Sequence, residues 1–495
     1  MRLKGPIAAA VGLSILGMGL SACSSGSPSL SGSASRNSTT PVTLTVLSPT
    51  VVEKPESVVE KGYADAYMKL HPNVKVEFVG VPMNDAYAKI STLATGGNMP
   101  DIFVNSPEFS SQANQLGIVA DMTALLGSDF MSGFAKAPLA QATLAGKVQF
   151  APFFTIPTGL LYRADLFAAA GLTPPKTWDE FEADAKTLTV DVNGDGKTDR
   201  WGFAMVGTNN GSGGSRFIPV MRTYGAQELV KDGTGWKTGF HTPEAVAAFK
   251  LYGDLVNKDG AVPPGPLQTG YAEATTEMAT DKTAMMITGP HTIGAIEAQN
   301  PALKGKFASA PLPATKGHDP VSVLGMLGWS ISQDSKHKDV AADYIKFILN
   351  KDNQIAWNLT TGRLPVRTDA LEDPQIARPE LKGFIAAQDY AFTLPNVTYY
   401  PDLQVIAANA YQAVIQKQMT PEEAAASAAV FWSAVGCSPS SQTRSCSSPM
   451  VSCIESFQPF PAAAGTAESV SPTGLTPFAY KSGWRIWEVE LGGLA

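Results

Sequence analysis

The sequence predicts an α/β fold. Three observations carry the prediction. Strand-like alternation and helix-like periodicity interleave from residue 42 to residue 106. Helix starts with matched capping residues recur at Thr177, Thr242 and Thr420. The composition, 44% hydrophobic and 16% charged, is that of a globular chain and not of a fibrous or disordered one.

VTLTVLS (42–48) alternates apolar and polar residues and is rich in β-branched ones, so it reads as a strand. Val58, Val59, Tyr63, Ala66, Tyr67 and Leu70 then recur at helical spacing. VKVEFVGV is a second strand, DAYAKISTLATGG a helix closed by glycine, and DIFVNS a short buried strand. This β-α-β-α-β order implies parallel strand pairs with helices on the sheet faces. Thr177-Trp178-Asp179-Glu180 fits a capping box, in which Thr177 accepts from the third helical amide and Glu180 reaches back. Thr242-Pro243-Glu244 places a cap before a proline at the first helical position. Val246, Phe249, Leu255 and Val256 follow as its apolar face. Val340, Tyr344, Ile345 and Ile348 form another stripe, and Thr420 to Glu423 repeats the capping pattern. Each stripe is read as core.

At 495 residues the chain has room for two or three domains. Its net charge of −7 and the lack of a basic stripe mean that nucleic acid is not an expected partner. Arg2 and Lys4 precede an uncharged apolar run from Pro6 to Leu20. That run is short for a bilayer span, which needs about 20 residues, and has the form of a secretory signal. Cys23 follows it; the other cysteines are Cys437, Cys446 and Cys453, so no disulfide framework staples the body. Leu20-Ser21-Ala22-Cys23 resembles the lipobox of bacterial lipoproteins, which implies cleavage before Cys23 and lipid on its thiol. The alternatives for Cys23 are a small apolar residue or a disulfide to the tail. Four segments result: a signal peptide (1–22), a Ser-rich tether (23–41), a body (42–426), and a tail (427–495) that is rich in Ser and Pro and expected to be poorly ordered. A frameshift and a genuine extension would both give such a tail.

DVNGDGKTDRWG (191–202) carries oxygens at Asp191, Asn193, Asp195 and Asp199, a carbonyl at Lys197, and Gly196 at the sixth position of a calcium loop. Its twelfth residue is Gly202 instead of a bidentate glutamate. Two readings stay open: a weak site for a structural calcium ion, and a plain turn whose side chains bond their own backbone. No other cofactor is expected. Gly196-Lys197-Thr198 lacks the earlier glycine of a phosphate loop, because position 191 is Asp191. The five histidines are scattered without zinc-ligand spacing, and no G-x-S-x-G elbow occurs. Gly211 to Ser215 reads as a flexible run. The lack of a catalytic constellation argues against an enzyme, although sequence leaves room for a carboxylate pair.

From Val42 to about Ala426 the chain resembles the extracellular solute-binding proteins of bacterial ABC importers, in the carbohydrate-binding group. The landmarks occur in family order: GGNMPDIFVNS (96–106), GIVADMTALL (117–126), GLLYRADLFAAAGLTPPKTWDEFEADAKTLT (159–189), then HTPEAVAAFKLYGDLV, DKTAMMITGP, FASAPLP, and LGWSISQDSKHKDVAADYIKFILNKDNQIAWNLTTGRLPV (327–366). The resemblance implies two hinge-connected α/β lobes of the periplasmic-binding-protein (Venus flytrap) type, with a ligand cleft between them. A sugar there needs directional donors and acceptors for its hydroxyls and aromatic rings for its C–H faces.

By matching position, the resemblance implies cleft contacts at Ser48, Pro49, Asn105, Phe153, Phe154, Thr155, Asn209, Asn210, Pro290, His291, Trp329, Asn396 and Tyr399. His291 departs from the family, which often has an aromatic or small polar residue there. Arg363 is read either as an anion holder or as a packing residue. The implied function is a lipid-anchored receptor, exported to the outer face of the cell membrane and expected to be monomeric. It would deliver a sugar or oligosaccharide to a membrane permease. The alternatives are a receptor for a non-sugar solute such as glycerol phosphate, and a lipid-anchored glycoside hydrolase.

Overall fold

The computed structural model describes residues 40–436 other than Thr234, Thr393, Asn396 and Thr398. Cys23, the tether before Thr40, Asn396 and the tail beyond Gly436 lie outside the described residues. Ten strands build two sheets. In chain order they are β1 (Val42–Ser48), β2 (Val74–Gly80), β3 (Ile102–Asn105), β4 (Ala151–Pro157), β5 (Gly159–Arg163), β6 (Trp201–Ala204), β7 (Thr283–Thr288), β8 (Phe307–Ala310), β9 (Ser322–Ile331) and β10 (Ala391–Phe392).

The first sheet has the order β10-β9-β3-β1-β2, with β4 also paired to β9. β1 runs parallel to β2 and β3, while β9 is antiparallel to β3 and β4. The second sheet has the order β8-β5-β7-β6, with β6 and β7 parallel. Each sheet has its own apolar core. Leu44, Val46, Phe103, Ile331 and Tyr344 belong to that of the first lobe, and Phe181, Phe203, Phe217, Phe249 and Met285 to that of the second. The chain crosses between sheets at Thr158, again between β8 and β9, and a third time after β10, before the helix Tyr400–Ile415. The implied two-lobed α/β architecture is the one found.

The marked helix starts are used as read. Thr177 Oγ1 accepts from the Glu180 amide at 3.2 Å, and Glu180 accepts from the Thr177 amide at 3.1 Å. Thr242 caps Pro243–Asn257 through the Ala245 amide, and Thr420 and Glu423 cap each other's amides. Two features differ from expectation. The helix Glu56–Leu70 forms, but its buried face is Ser57, Glu60, Tyr63, Ala64 and Tyr67, while Val58 and Leu70 are about two-thirds exposed, at 67% and 66%. The face is turned because Glu60 is drawn inward by hydroxyls at the end of β1. The last helix, Pro421–Gly436, does not stop at residue 426; Ala424, Ala425 and Ala428 are packed into the second core and carry it past the change in composition.

Candidate functional site

In open α/β sheets, ligands collect where loops leave the carboxyl ends of the strands. Four such loops concern us here. β1 ends at Ser48 and β3 at Asn105 in the first lobe; β6 leads to Thr208–Asn210 and β7 to Gly289–His291 in the second. Each loop feeds a helical turn, so backbone amides accompany the side chains.

Most of the first-lobe residues named from sequence form a packed floor. Ser48 is fully buried and donates to Glu60 Oε2 at 2.9 Å, and Thr50 donates to the same oxygen at 2.6 Å. Pro49 is buried beside them. Burial pushes the Glu60 carboxyl up to about 7, against the lowering effect of those hydroxyls. Asn105 is buried; its amide donates to Ser330 Oγ and its carbonyl accepts from the Ser106 amide. Thr155 donates to Gln388 Oε1 at 3.0 Å. Phe153 and Trp329, 1% and 2% exposed, pack with Phe154 and Trp357 in one aromatic cluster. These rings pack on each other and form the floor.

The second-lobe loops are more open. Asn209 is exposed and donates to Asn409 Oδ1 at 3.1 Å. Asn210 caps the helix Gly211–Thr223, accepting from the Ser212 and Gly213 amides. The run read as flexible is therefore helical. Its glycines permit close packing: a Cβ on Gly213 would stand 2.1 Å from the Thr208 carbonyl oxygen, and one on Gly214 2.1 Å from that of Gln404. Pro290 is buried at the start of the helix His291–Gln299, and Tyr399 is half-buried just before the helix Tyr400–Ile415.

His291 is the centre of a cluster that sequence reasoning only partly found. Its ring lies 5.5 Å from that of Tyr271, and the Arg216 guanidinium lies 5.0 Å from the Tyr271 ring centre. Tyr271 shares a hydrogen bond with Thr292. Burial, followed by the positive charges of Arg216 and Arg363, pushes the His291 pKa down to about 4, so the imidazole is neutral near pH 7. Arg363 approaches from the first lobe, over the Phe154 ring, and pairs with Glu56 and Glu53. Its charge is met by those two carboxylates of the first lobe. Arg216 was hidden in a glycine-rich run and Tyr271 on an unremarked helix; neither belongs to a motif. A separate cavity of about 400 Å³ opens between the lobes, with Pro107, Ser110 and Gln141 on one side and Arg222 and Trp236 on the other.

The Asp191–Asp199 loop is exposed and satisfies itself. Asp191 accepts from the Gly194 and Gly196 amides, Asp199 from those of Val192 and Asn193, Asn193 from that of Asp195, and Asp195 from that of Lys197. Among the described residues, no three acidic, histidine or cysteine groups are placed to hold a metal ion. The geometry is that of the plain turn.

Over 363 residues the chain is 27% identical to a putative binding protein of Brucella abortus, a match covering 72% of this chain and 84% of that relative. A lactose-binding protein of Rhizobium radiobacter is 28% identical over 313 residues, covering 61% and 70% of the two chains. The GacH receptor of Streptomyces glaucescens, solved unliganded and with acarbose, has the same fold with a TM-score of 0.64 at 23% identity, covering 80% of this chain and 98% of that one. The model of the bacterial extracellular solute-binding protein matches residues 53–355, and the chain belongs to that family.

Proposed function

We propose that the protein is the substrate-binding component of an ABC sugar importer, and that it captures a saccharide between its lobes. The observation that carries this reading is the cluster around His291, where Tyr271, with Arg216 against its ring, stands beside the imidazole and Gly362 of the first lobe reaches the His291 backbone. The loops leaving β6 and β7 feed helix amino termini, and Asn209 on the first of them is exposed. A sugar asks for that combination: rings for its C–H surface, and directional partners for its hydroxyls. The lactose-binding relative supports the substrate class. Ser48, Asn105, Thr155 and the Phe153–Trp329 cluster back the cleft, while Asn209, Asn210, His291 and Tyr399 contact the ligand. The body acts without covalent chemistry, in keeping with relatives that are binding proteins.

In this reading residues 1–22 direct export, Cys23 bears lipid, and the Ser-rich segment to residue 41 tethers the body to the outer face of the membrane beside its permease. Acyl chains contribute about 0.8 kcal/mol per buried methylene, so two or three of them hold such a body firmly. A thermal-shift screen over neutral sugars, oligosaccharides, acidic sugars and polyols tests the binding reading. A true ligand at a hundredfold excess over Kd adds about 2.7 kcal/mol of stability. A panel in which no saccharide moves the midpoint overturns the reading. Release of labelled product from an oligosaccharide would favour a hydrolase instead.

A further inference from the structure

Among the described residues, Arg163, Arg200, Arg222, Arg363, Arg367 and Arg378 each pair with a carboxylate. Arg216 is the one arginine that does not. Its Nη1 donates to the Ser212 carbonyl and hydroxyl, both at 2.9 Å, and its Nε is buried without a partner. Beside the same Tyr271 ring, His291 Nδ1 is likewise buried and unpartnered. Two unused nitrogens therefore lie beside one tyrosine ring in the cluster already assigned to the ligand. A half-buried guanidinium without a counter-charge is costly, and an unpartnered buried nitrogen beside it adds to the cost. Arg363, close by, has its charge answered by Glu53 and Glu56; that of Arg216 is answered by no carboxylate among the described residues.

We propose that the saccharide is anionic, with its acidic oxygens received by Arg216 and His291. The proposal rests on the solute-receptor reading and deepens it by naming the missing group. Guanidinium suits planar carboxylate and phosphate alike, in charge-assisted hydrogen bonds stronger than those to neutral hydroxyls. The imidazole Nδ1 supplies a second contact, and the anion favours the imidazolium form that the two arginines otherwise oppose.

The test is calorimetric titration of the full chain in detergent with galacturonate, digalacturonate, glucose phosphate, galactose and lactose. The expected result is binding of a uronate or of the phosphate ester, weakened by salt, with at least about thirtyfold preference over the neutral sugar of the same ring. The uronate and phosphate arms tell the two sources of charge apart. Arg216→Gln should erase that preference and Arg216→Lys retain part of it. Should Arg216→Gln fail to fold, the wild-type preference still decides. In parallel, NMR titration of His291 should show its pKa rising in the anionic complex. Tight binding of galactose or lactose with no anionic preference overturns this proposal and leaves the receptor reading standing. A panel with no saccharide bound overturns both.

Discussion

Gly362 and His291 are in backbone contact across the interlobe region: a Cβ built on Gly362 would stand 2.8 Å from His291 Cα. Gly362 also ends the helix Lys351–Thr361 with a φ of 72°, a left-handed conformation that a side chain opposes. Gly362→Ala should therefore destabilise the protein by about 1–2 kcal/mol from the backbone alone, with a further loss in ligand affinity as His291 is pushed aside. Urea unfolding and calorimetry read the two effects. Unchanged affinity in a folded variant would show that His291 does not touch the ligand.

The His291 imidazole gives stability an acid-side dependence. Its pKa is about 4 in the fold and about 6.5 when unfolded, so between these values the unfolded chain binds the extra proton. The contribution is complete above about pH 6.5 and is lost progressively as pH falls towards 4. His291→Gln should flatten that limb in urea midpoints measured from pH 7 to pH 4.

Glu60 acts with the opposite sign. Its carboxyl rises from an ordinary 4.5 to about 7 in the fold, so the folded state holds the extra proton. Its contribution is complete below about pH 4.5 and is lost as pH rises through 7. Oε1 is buried without a partner, while Oε2 accepts from Ser48 and Thr50. Glu60→Gln keeps that acceptor without the ionisation. The variant should be more stable than the native protein at pH 8 and close to it at pH 5. A variant that is less stable at both values would sink this account.

Glu228 is fully buried, and Arg222 grips both its oxygens at 2.7 and 2.8 Å while Tyr400 donates to one of them at 2.9 Å. Arg222 also lies 3.6 Å from the centre of the Phe392 ring, on the last strand of the first lobe. Arg222→Ala strands a buried carboxylate and should cost about 3–5 kcal/mol. Adding Glu228→Gln should recover part of that loss, and chemical denaturation of the single and double variants measures it.

Local patterns foretold local structure. The alternation of β1, the caps at Thr177, Thr242 and Thr420, and the stripe through Tyr344 and Ile348 depend on neighbours within a few residues. Family resemblance supplied the two lobes. What stayed hidden depends on distant partners. The resemblance named Phe153 and Trp329 as cleft contacts; only the pairing of β4 with β9, and the arrival of Trp357, show the aromatic cluster they join. The helix Glu56–Leu70 was turned by a buried acid that apolar periodicity cannot register. Arg216 sat behind glycines whose purpose is visible only once Thr208 and Gln404 stand against them.

The crossings also order events in time. β9 hydrogen-bonds to β3, β4 and β10, yet it is synthesised after every strand of the second sheet. While the ribosome is still short of Ile331, the nascent chain holds β1 to β4 without the strand that joins β3 to β4. Such long-range pairing is slow, because loop closure precedes the contacts that reward it. A chain that cannot complete its first lobe early keeps the edges of β3 and β4 open until β9 is made.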